Sequence, residues 1–309
     1  MGRVGIFLIA VALIAGAVSY VGHPVEILDW YDLNAIRDNL GGSYILTNDL
    51  NANSPGYVEL ASPRANQGKG WLPIGASIRQ QVDHGVLGFV GTFDGQGYEL
   101  RDLFINRPDE SYVGLFLGVG QEGVVLEITV VNATVIGNVG VGSLAGWNRG
   151  TVSNSYSAGN AIGSSLVGGL VGLNDMAGSV SDSYFTGSAS GDEIVGGLVG
   201  GNMGTVLSSY STGSVSGNHI VGGLVGLDRS DMLSSYCGTV IKSFWDTETS
   251  GQGISYGGTG RTTAQMQDIA TFTLAGWDII GVNEPNNRNT GYIWNIVNGV
   301  TYPFLSWQP

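Results

Sequence analysis

The chain has 309 residues, of which 43% are hydrophobic and only 12% charged, with 52 glycines and a formal net charge of −13. Its 12 basic residues form no cluster, which argues against a nucleic-acid partner, because phosphate backbones bind clustered Lys and Arg. The single cysteine, Cys237, excludes an internal disulfide and favours a packed or half-exposed side chain over a pairing with another chain.

The first 22 residues contain one basic residue, Arg3, followed by an apolar run at 4–18. This run is shorter than the roughly 20 residues that span a membrane, and small residues at 15–17 suit cleavage. Residues 1–22 are therefore predicted to be a signal peptide. An uncleaved anchor and a pilin-like helix remain as alternatives. Each places the rest of the chain at the cell surface or in the medium, with membrane contact only through residues 1–22.

Residues 29–40 have the pattern of a short helix that begins at an Asp29 N-cap and ends at Gly41. Residues 43–50 alternate like a strand. After a loop-rich stretch, two strands are predicted at 85–94 and 98–105, joined by a turn at 94–97. Residues 23–110 are thus predicted to form an N-terminal cap and the first coils of the fold.

A repeated phrase organises residues 111–238. It begins at five valines, spaced 28, 26, 28 and 26 residues apart: Val113, Val141, Val167, Val195 and Val221. Two columns follow it, an interior column of Val124, Val152, Val180, Val206 and Met232, and a second column of Ile128, Tyr156, Tyr184, Tyr210 and Tyr236. A period in the twenties predicts a solenoid.

The length changes between copies indicate strands. The third copy has NDMAG at 174–178 where the second has NRG at 148–150, and the first copy carries two extra residues between Ile128 and Gly137. A change of two residues preserves the alternation of side chains along a strand, whereas a helical repeat gains nothing from it. The predicted fold is an all-β, parallel β-solenoid, right-handed by the general chirality of parallel crossovers.

The phrase VGGLVG, followed by N-x-G-x-V-x-x-S-Y, resembles the GLUG repeat. That family occurs in filamentous-haemagglutinin-like adhesins and in non-catalytic parts of IgA-protease-type metallopeptidases. The resemblance extends over roughly residues 30–305, since WLPIG at 71–75 and SFWDTETSG at 243–251 are similar to the segments that flank such arrays. It implies a β-solenoid scaffold on a surface protein. The chain lacks H-E-x-x-H, so peptidase activity is not carried over.

Residues 239–309 are less periodic. A helix is predicted at 262–270, capped by Thr262 or Thr263, and a hairpin at 293–305 around Asn298 and Gly299. Together they are predicted to be a mixed C-terminal cap on the far end of the solenoid.

Three short motifs are weak functional signals. GVGQEG at 118–123 matches a dinucleotide fingerprint, but a strand follows where that fingerprint requires a helix. GGTGRTT at 257–263 lacks the Gly and Lys spacing of a phosphate loop. The stretch 49–60 begins like a calcium loop but has Ser54 and Leu60 where Gly and Glu are needed. No cofactor or metal is expected.

Parallel β-solenoids also host polysaccharide-active enzymes, which need paired carboxylates. The candidates here are Asp94, Asp102, Asp182 and Asp192, and they do not recur as a cluster. The chain is therefore predicted not to be an enzyme.

Four tyrosines are candidate ligand contacts: Tyr156, Tyr184, Tyr210 and Tyr236. Facing outward, they would offer stacking surfaces to sugar rings or a partner protein; facing inward, they would fill the core. The second alternative, in which the tyrosines have a structural role, is favoured. Residues 132–134 form an Asn-Ala-Thr glycosylation sequon.

The sequence thus predicts a secreted or cell-surface, non-catalytic adhesion or structural module. Its expected partner is a glycan or protein on a host or neighbouring cell, or another copy of itself. Two alternatives remain open: the subunit of an extracellular filament and a β-helix polysaccharide-active enzyme.

Overall fold

The computed structural model describes residues 23–75, 88–228 and 238–308. The fold prediction is confirmed: short strands stack in parallel into a β-solenoid, with few helices and a small mixed sheet at the C-terminal end. The predicted signal peptide, Met232, Tyr236 and Cys237 lie outside the described residues.

The N-terminal cap begins as predicted. Asp29 is the N-cap of helix α1, and its carboxylate accepts hydrogen bonds from the Tyr31 and Asp32 amides. The elements up to the first repeat are β1 (Val25–Ile27), α1 (Trp30–Ala35), β2 (Ser43–Leu46), β3 (Thr92–Asp94), β4 (Glu99–Arg101) and β5 (Phe104–Asn106). A single turn of 3₁₀ helix at Ile36–Asp38 and one of π-helix at Tyr57–Ala61 lie between them, together with a left-handed turn at Ala65–Gly68 in which Asn66 and Gln67 have positive φ.

Each repeat supplies one coil with strands on four sides. The first two coils contain β6 (Phe116–Val119), β7 (Val124–Leu126), β8 (Thr129–Ile136), β9 (Val139–Val141), β10 (Ala145–Asn148), β11 (Thr151–Ser153) and β12 (Tyr156–Gly163). The next coils contain β13 (Ser165–Gly168), β14 (Val171–Asn174), β15 (Ser179–Ser181), β16 (Tyr184–Phe185), β17 (Ser188–Gly191), β18 (Ile194–Gly196), β19 (Val199–Asn202), β20 (Thr205–Leu207), β21 (Tyr210–Ser211), β22 (Ser214–Ser216), β23 (Ile220–Gly222) and β24 (Val225–Asp228).

The third described range, 238–308, contains β25 (Thr239–Ile241), β26 (Phe244–Asp246), β27 (Thr259–Arg261), α2 (Thr263–Met266), α3 (Ile269–Leu274), β28 (Ile279–Gly281), β29 (Trp294–Ile296) and β30 (Phe304–Leu305). Equivalent strands form four long parallel sheets. We call them sheet A (β1, β2, β3, β7, β11, β15, β20, β25), sheet B (β4, β5, β8, β12, β16, β17, β21, β22, β26, β27), sheet C (β6, β10, β14, β19, β24) and sheet D (β9, β13, β18, β23).

One hydrophobic core runs through the stack from Ile27 to Trp245. In sheet A, Val152, Val180 and Val206 pair with one another and are fully buried, as the alternation of side chains predicts. Neighbouring coils share this core, so each coil depends on the next for its burial.

The interior also contains two columns of polar side chains. Asn148 donates to Asn174, and Asn174 donates to Asn202, each at 2.8 Å between amide nitrogen and oxygen. A serine column at the corner between sheets A and B connects the coils through Ser155, Ser183, Ser209 and Ser243. The hydroxyls of Ser183, Ser209 and Ser243 accept the backbone N–H of the serine one coil earlier, and that of Ser155 accepts the Ile128 N–H. These buried polar groups are thus satisfied by the repeat itself.

The observed register places the two extra residues of the third copy between Asn174 and Ser179, as predicted, because Asn148 pairs with Asn174 and Thr151 with Ser179. The predicted register of the first copy is wrong by one position: Val125, not Val124, pairs with Val152. Part of the extra length lies at a bulge in β8, where the register shifts.

The last repeat also differs from the prediction. Val206 pairs with Val240, eight residues beyond Met232, so TVIKSF at 239–244 takes the place that the alignment gave to DMLSSY at 231–236. The stretch 239–246 therefore completes the coil that begins with β23 and β24.

The rest of the C-terminal segment has two parts. Residues 247–258 lie across the last coil, where the Ser255 hydroxyl accepts the amide of Val225 at 2.9 Å and Gln252 donates to the Val215 carbonyl at 2.9 Å. Residues 263–308, which we call the C-terminal arm, turn back along the outside of sheet B. The arm was predicted to close the end of the solenoid, but it covers a side of it.

The arm's own elements follow the sequence signals. Thr262 caps α2 in a capping box with Gln265, and a second helix, α3, starts at an Asp268 N-cap. Strands β29 and β30 pair antiparallel as the predicted hairpin, with Trp294 opposite Leu305. No helix in the described ranges is long and apolar enough to cross a membrane.

Candidate functional site: the tyrosine ladder

Three of the four candidate tyrosines stack on the outer face of sheet B. The rings of Tyr156 and Tyr184 are 4.5 Å apart with an interplanar angle of 3°, and those of Tyr184 and Tyr210 are 4.8 Å apart at 4°. This spacing is the distance between neighbouring strands, so the repeat alone sets the stacking. We call these three residues the tyrosine ladder.

The ladder ends differently from the prediction at both ends. Thr129, not Ile128, pairs with Tyr156 in the preceding coil. In the following coil Tyr210 pairs with Phe244. The position predicted for Tyr236 is thus taken by another aromatic residue, and Tyr236 itself is not among the described residues.

A sharp corner places each ladder residue. The residue two positions before each ladder tyrosine has positive φ, at 48° for Asn154, 47° for Asp182 and 47° for Ser208. Such left-handed backbone is uncommon outside Gly, with Asn and Asp the best tolerated alternatives. The corner turns the chain from sheet A to sheet B, so that the serine faces inward and the tyrosine outward.

The ladder faces outward and is nevertheless covered. Tyr184 is 6% exposed and Tyr210 1% exposed, while Tyr156 at the end is half-buried. Their cover is the C-terminal arm, which forms a second hydrophobic cluster with the ladder: Tyr184, Tyr210, Phe244, Met266, Phe272, Trp277, Ile279, Trp294, Ile296 and Leu305.

Hydrogen bonds fix the arm on the ladder. The Tyr210 hydroxyl donates to the Pro303 carbonyl at 2.6 Å, and the Gln308 amide donates to the Tyr184 hydroxyl at 2.7 Å. Burial raises the pKa of both phenols well above the usual range, so they are neutral at physiological pH. Both phenols are thus occupied by the protein's own groups.

Two carboxylates anchor the arm to the corners of the solenoid. Asp246 is fully buried, and its Oδ2 accepts the hydroxyls of Tyr302 and Thr263, each at 2.7 Å. Asp182 accepts the Trp294 indole N–H at 3.3 Å. Burial raises the pKa of Asp182 to about 6, with Asp278 adding to the rise and the Trp294 hydrogen bond opposing it.

The structure does not bring the four enzyme candidates together. Asp94 ends β3, and Asp182 follows β15, three strand spacings or roughly 14 Å further along the stack. Asp102 lies between β4 and β5 of sheet B, and Asp192 lies at the exposed turn between β17 and β18. Among the residues that the structure describes, no group of three His, Cys, Asp or Glu is arranged to hold a metal ion.

The weak motifs have structural roles. Residues 118–123 turn from β6 to β7, with the Gly123 amide donating to the Gly120 carbonyl at 2.8 Å. In the calcium-like stretch, the Asp49 carboxylate accepts the Glu99 amide at 2.9 Å.

A feature that the sequence analysis missed is an apolar groove of about 310 Å³ on the outer surface of sheets C and D. Gly201 stands between Leu173 and Leu227 in a column of outward residues, and the missing side chain leaves a gap. Leu166 and Ile194 form its wall. A comparison of the outward residues at this position in successive coils would have revealed the groove.

Comparison with known proteins supports the resemblance. Residues 163–190 match the family model described as "The GLUG motif". Halomucin of Haloquadratum walsbyi is 37% identical over 147 residues, which are 47% of this chain and 2% of halomucin. A "Putative Gly-rich membrane protein" of Evansella cellulosilytica is 31% identical over 146 residues, 46% of this chain and 15% of that protein. The chain thus spans only a small part of the length of these relatives.

In fold, the chain is similar to a crystal structure of a "putative immunoglobulin A1 protease" from Bacteroides ovatus. The TM-score is 0.57 with 16% sequence identity, and the match covers 93% of both chains. At this identity the likeness concerns the fold alone. The chain therefore carries the GLUG motif, confirmed at residues 163–190, within a parallel β-solenoid.

Proposed function

We propose that this chain is a non-catalytic structural module of a secreted or cell-surface protein. Its similarity to halomucin and to a Gly-rich membrane protein supports that location, as do the apolar residues near its start. The role is that of a rigid repeat unit within a longer surface assembly, since its relatives are many times longer than the matched part.

The observation that carries the structural role is the burial of the tyrosine ladder. Tyr184 and Tyr210 are the most regular aromatic surface that the repeat creates, yet the C-terminal arm covers them. A surface used for stacking against sugar rings needs accessible ring faces. The ladder is better suited to joining the arm to the solenoid than to binding a glycan.

A glycan-array binding assay on the purified protein tests this. Tyr156, the half-buried end of the ladder, is replaced with Ala, and the exposed Tyr31 of the N-terminal cap is replaced as a matched control. We expect no glycan binding that depends on Tyr156. Binding that is lost in Y156A but kept in Y31A, with the thermal midpoint retained, would make the ladder a recognition surface and overturn the structural role.

Adhesion is the second candidate function, and the apolar groove at Gly201 favours it, because exposed apolar surface on a soluble chain is often a contact site. Its test is the binding of protein-coated beads to cells. Gly201→Leu would fill the groove, and Ser216→Leu would add the same side chain at an exposed position of β22. Loss of binding in G201L alone supports adhesion through the groove; equal binding of both variants and the parent excludes it.

A further inference from the structure

The first coil contains a local irregularity that no later repeat shares within the ranges that the structure describes. Between Ala158 and Asn160 of β12, the neighbouring strand β8 has an extra residue, and its register shifts from Val131 to Thr134. The residues in the bulge are Asn132 and Ala133. Asn132 has a φ of 53° and is exposed, whereas Ala133 is fully buried. The bulge therefore directs one side chain outward and one into the core.

The same residues form the Asn-Ala-Thr sequon at 132–134, and the sequence contains no other Asn-x-Ser/Thr triplet. The later coils have glycine at the equivalent corner, Gly159 and Gly187, with backbone too close for an added Cβ. The extra residue that creates the bulge thus also creates the sequon. From this coincidence we infer that Asn132 is an N-glycosylation site.

The surroundings of Asn132 accommodate a glycan. On one side Asp102, itself at a φ of 66°, accepts a hydrogen bond from the Asn132 side-chain amide at 2.7 Å. On the other side Gly159 of the next coil lies opposite the bulge, and the residue after it, Asn160, is exposed. A bulky, polar modification on this surface removes no buried contact.

The chemistry leaves the local structure intact. A bond forms between Asn132 Nδ2 and C1 of a sugar, the C1–oxygen bond to the phosphate of a lipid-linked oligosaccharide donor breaks, and the amide loses one proton. Nδ2 keeps its second hydrogen, which can still donate to Asp102. No oxidation or reduction occurs; the lipid diphosphate leaves, the host membrane supplies the donor, and the host's oligosaccharyltransferase is the catalyst.

The inference rests on the extracellular location proposed above, and the test separates the two by supplying its own secretion signal. The full chain is secreted from a eukaryotic host that performs N-glycosylation, and the intact mass and peptide map are measured with and without an N-glycosidase. The variants are Asn132→Gln, Thr134→Ala and Thr134→Ser. Ile220→Thr serves as a competence control, because it creates a second acceptor triplet at the exposed Asn218.

We expect one glycan on the parent and on T134S, none on N132Q or T134A, and two on I220T. The thermal midpoint of the glycosylated parent should lie within about 3 °C of the enzymatically deglycosylated protein, since a change of 1 kcal/mol corresponds to about 2–4 °C in chains of this order of size. An unmodified Asn132 beside a modified Asn218 would overturn the inference. So would a glycosylated chain that is secreted unfolded.

Discussion

The Tyr210 hydroxyl donates a 2.6 Å hydrogen bond to the Pro303 carbonyl, which connects the repeat array to a residue 93 positions later in the chain. This contact joins the ladder to the hairpin of the C-terminal arm. Through this contact, the aromatic column on the outer face of the solenoid becomes part of a second, closed hydrophobic core.

Removing that contact should have a graded effect. Tyr210→Phe deletes the hydroxyl alone and is expected to cost about 1 kcal/mol, the net value of a typical hydrogen bond. Tyr210→Ala also removes a buried ring and is expected to cost about 3–5 kcal/mol. Urea unfolding followed by tryptophan fluorescence measures both. Equal stability of parent and Y210A would mean that the arm does not pack on the ladder.

The serine column provides a matched pair of substitutions. Ser209 accepts the buried Ser183 amide at 3.2 Å and donates to the Leu207 carbonyl at 2.8 Å. Ser209→Ala would leave that amide unpaired and should cost about 1–3 kcal/mol. Ser211 is equally buried, but its hydroxyl has no hydrogen-bond partner, so Ser211→Ala should be neutral or stabilising.

The measurement is the thermal midpoint of S209A and S211A under identical conditions. A larger loss in S211A than in S209A would contradict the assignment of the serine column as a hydrogen-bonding element.

Asp182 makes stability depend on pH. Its folded pKa is about 6, above the usual value of an aspartate, so the folded state holds this proton more tightly than the unfolded state. Stability from this group is therefore fully present below the unfolded pKa, under about pH 4, and is lost as the pH rises from there through 6. Asp182→Asn keeps an acceptor for Trp294 and suits the left-handed backbone, as Asn154 does in the preceding coil.

We expect D182N to be more stable than the parent by about 1–2 kcal/mol at pH 7.5 and to differ little from it near pH 4. Urea midpoints at a series of pH values test this. A difference that does not change with pH would show that Asp182 does not titrate in this range.

The buried Asp246 should be needed to hold the arm. Its two oxygens accept the hydroxyls of Tyr302 and Thr263 and the amides of Glu248 and Thr249. Asp246→Ala would leave all four donors without this acceptor and is expected to cost about 3 kcal/mol or more. Asp246→Asn retains one oxygen and should cost less. Calorimetry that gives D246A the midpoint of the parent would contradict this role.

The sequence predicted the solenoid well, because its signals are local and repeated. Val152, Val180 and Val206 each follow a Thr or Ser and point inward, and the two-residue insertion at 174–178 preserves that alternation. The N-caps of the helices could be predicted equally well, because Asp29 and Thr262 bind backbone amides only two or three residues away.

The errors in register arose where the segment most similar in sequence to the repeat is not the segment that occupies the equivalent position in the stack. DMLSSY matches the repeat better at its tyrosine, but TVIKSF retains what stacking requires, an inward Val240 and a Ser243 that accepts the Ser209 amide. Phe244 takes the position of a tyrosine in the column, and its ring packs against Phe272 and Trp277 of the arm.

The cover on the ladder could not be predicted either. Whether Tyr184 and Tyr210 are exposed depends on Trp294 and Pro303, more than 80 residues away, and no local pattern reports such a contact. The sequence left open whether these tyrosines face outward or inward, and their outward direction and their burial follow only from the tertiary structure.

The most direct test of the account is the reactivity of individual tyrosines towards tetranitromethane, mapped by mass spectrometry. Tyr31 is 50% exposed and Tyr98 37% exposed, whereas Tyr184 is 6% and Tyr210 1% exposed. We expect Tyr31 and Tyr98 to be nitrated in the folded protein, and Tyr184 and Tyr210 to react only when the protein unfolds. Nitration of Tyr210 at the rate of Tyr31 in the folded protein would show that the C-terminal arm leaves the ladder open, and the structural role would then be contradicted.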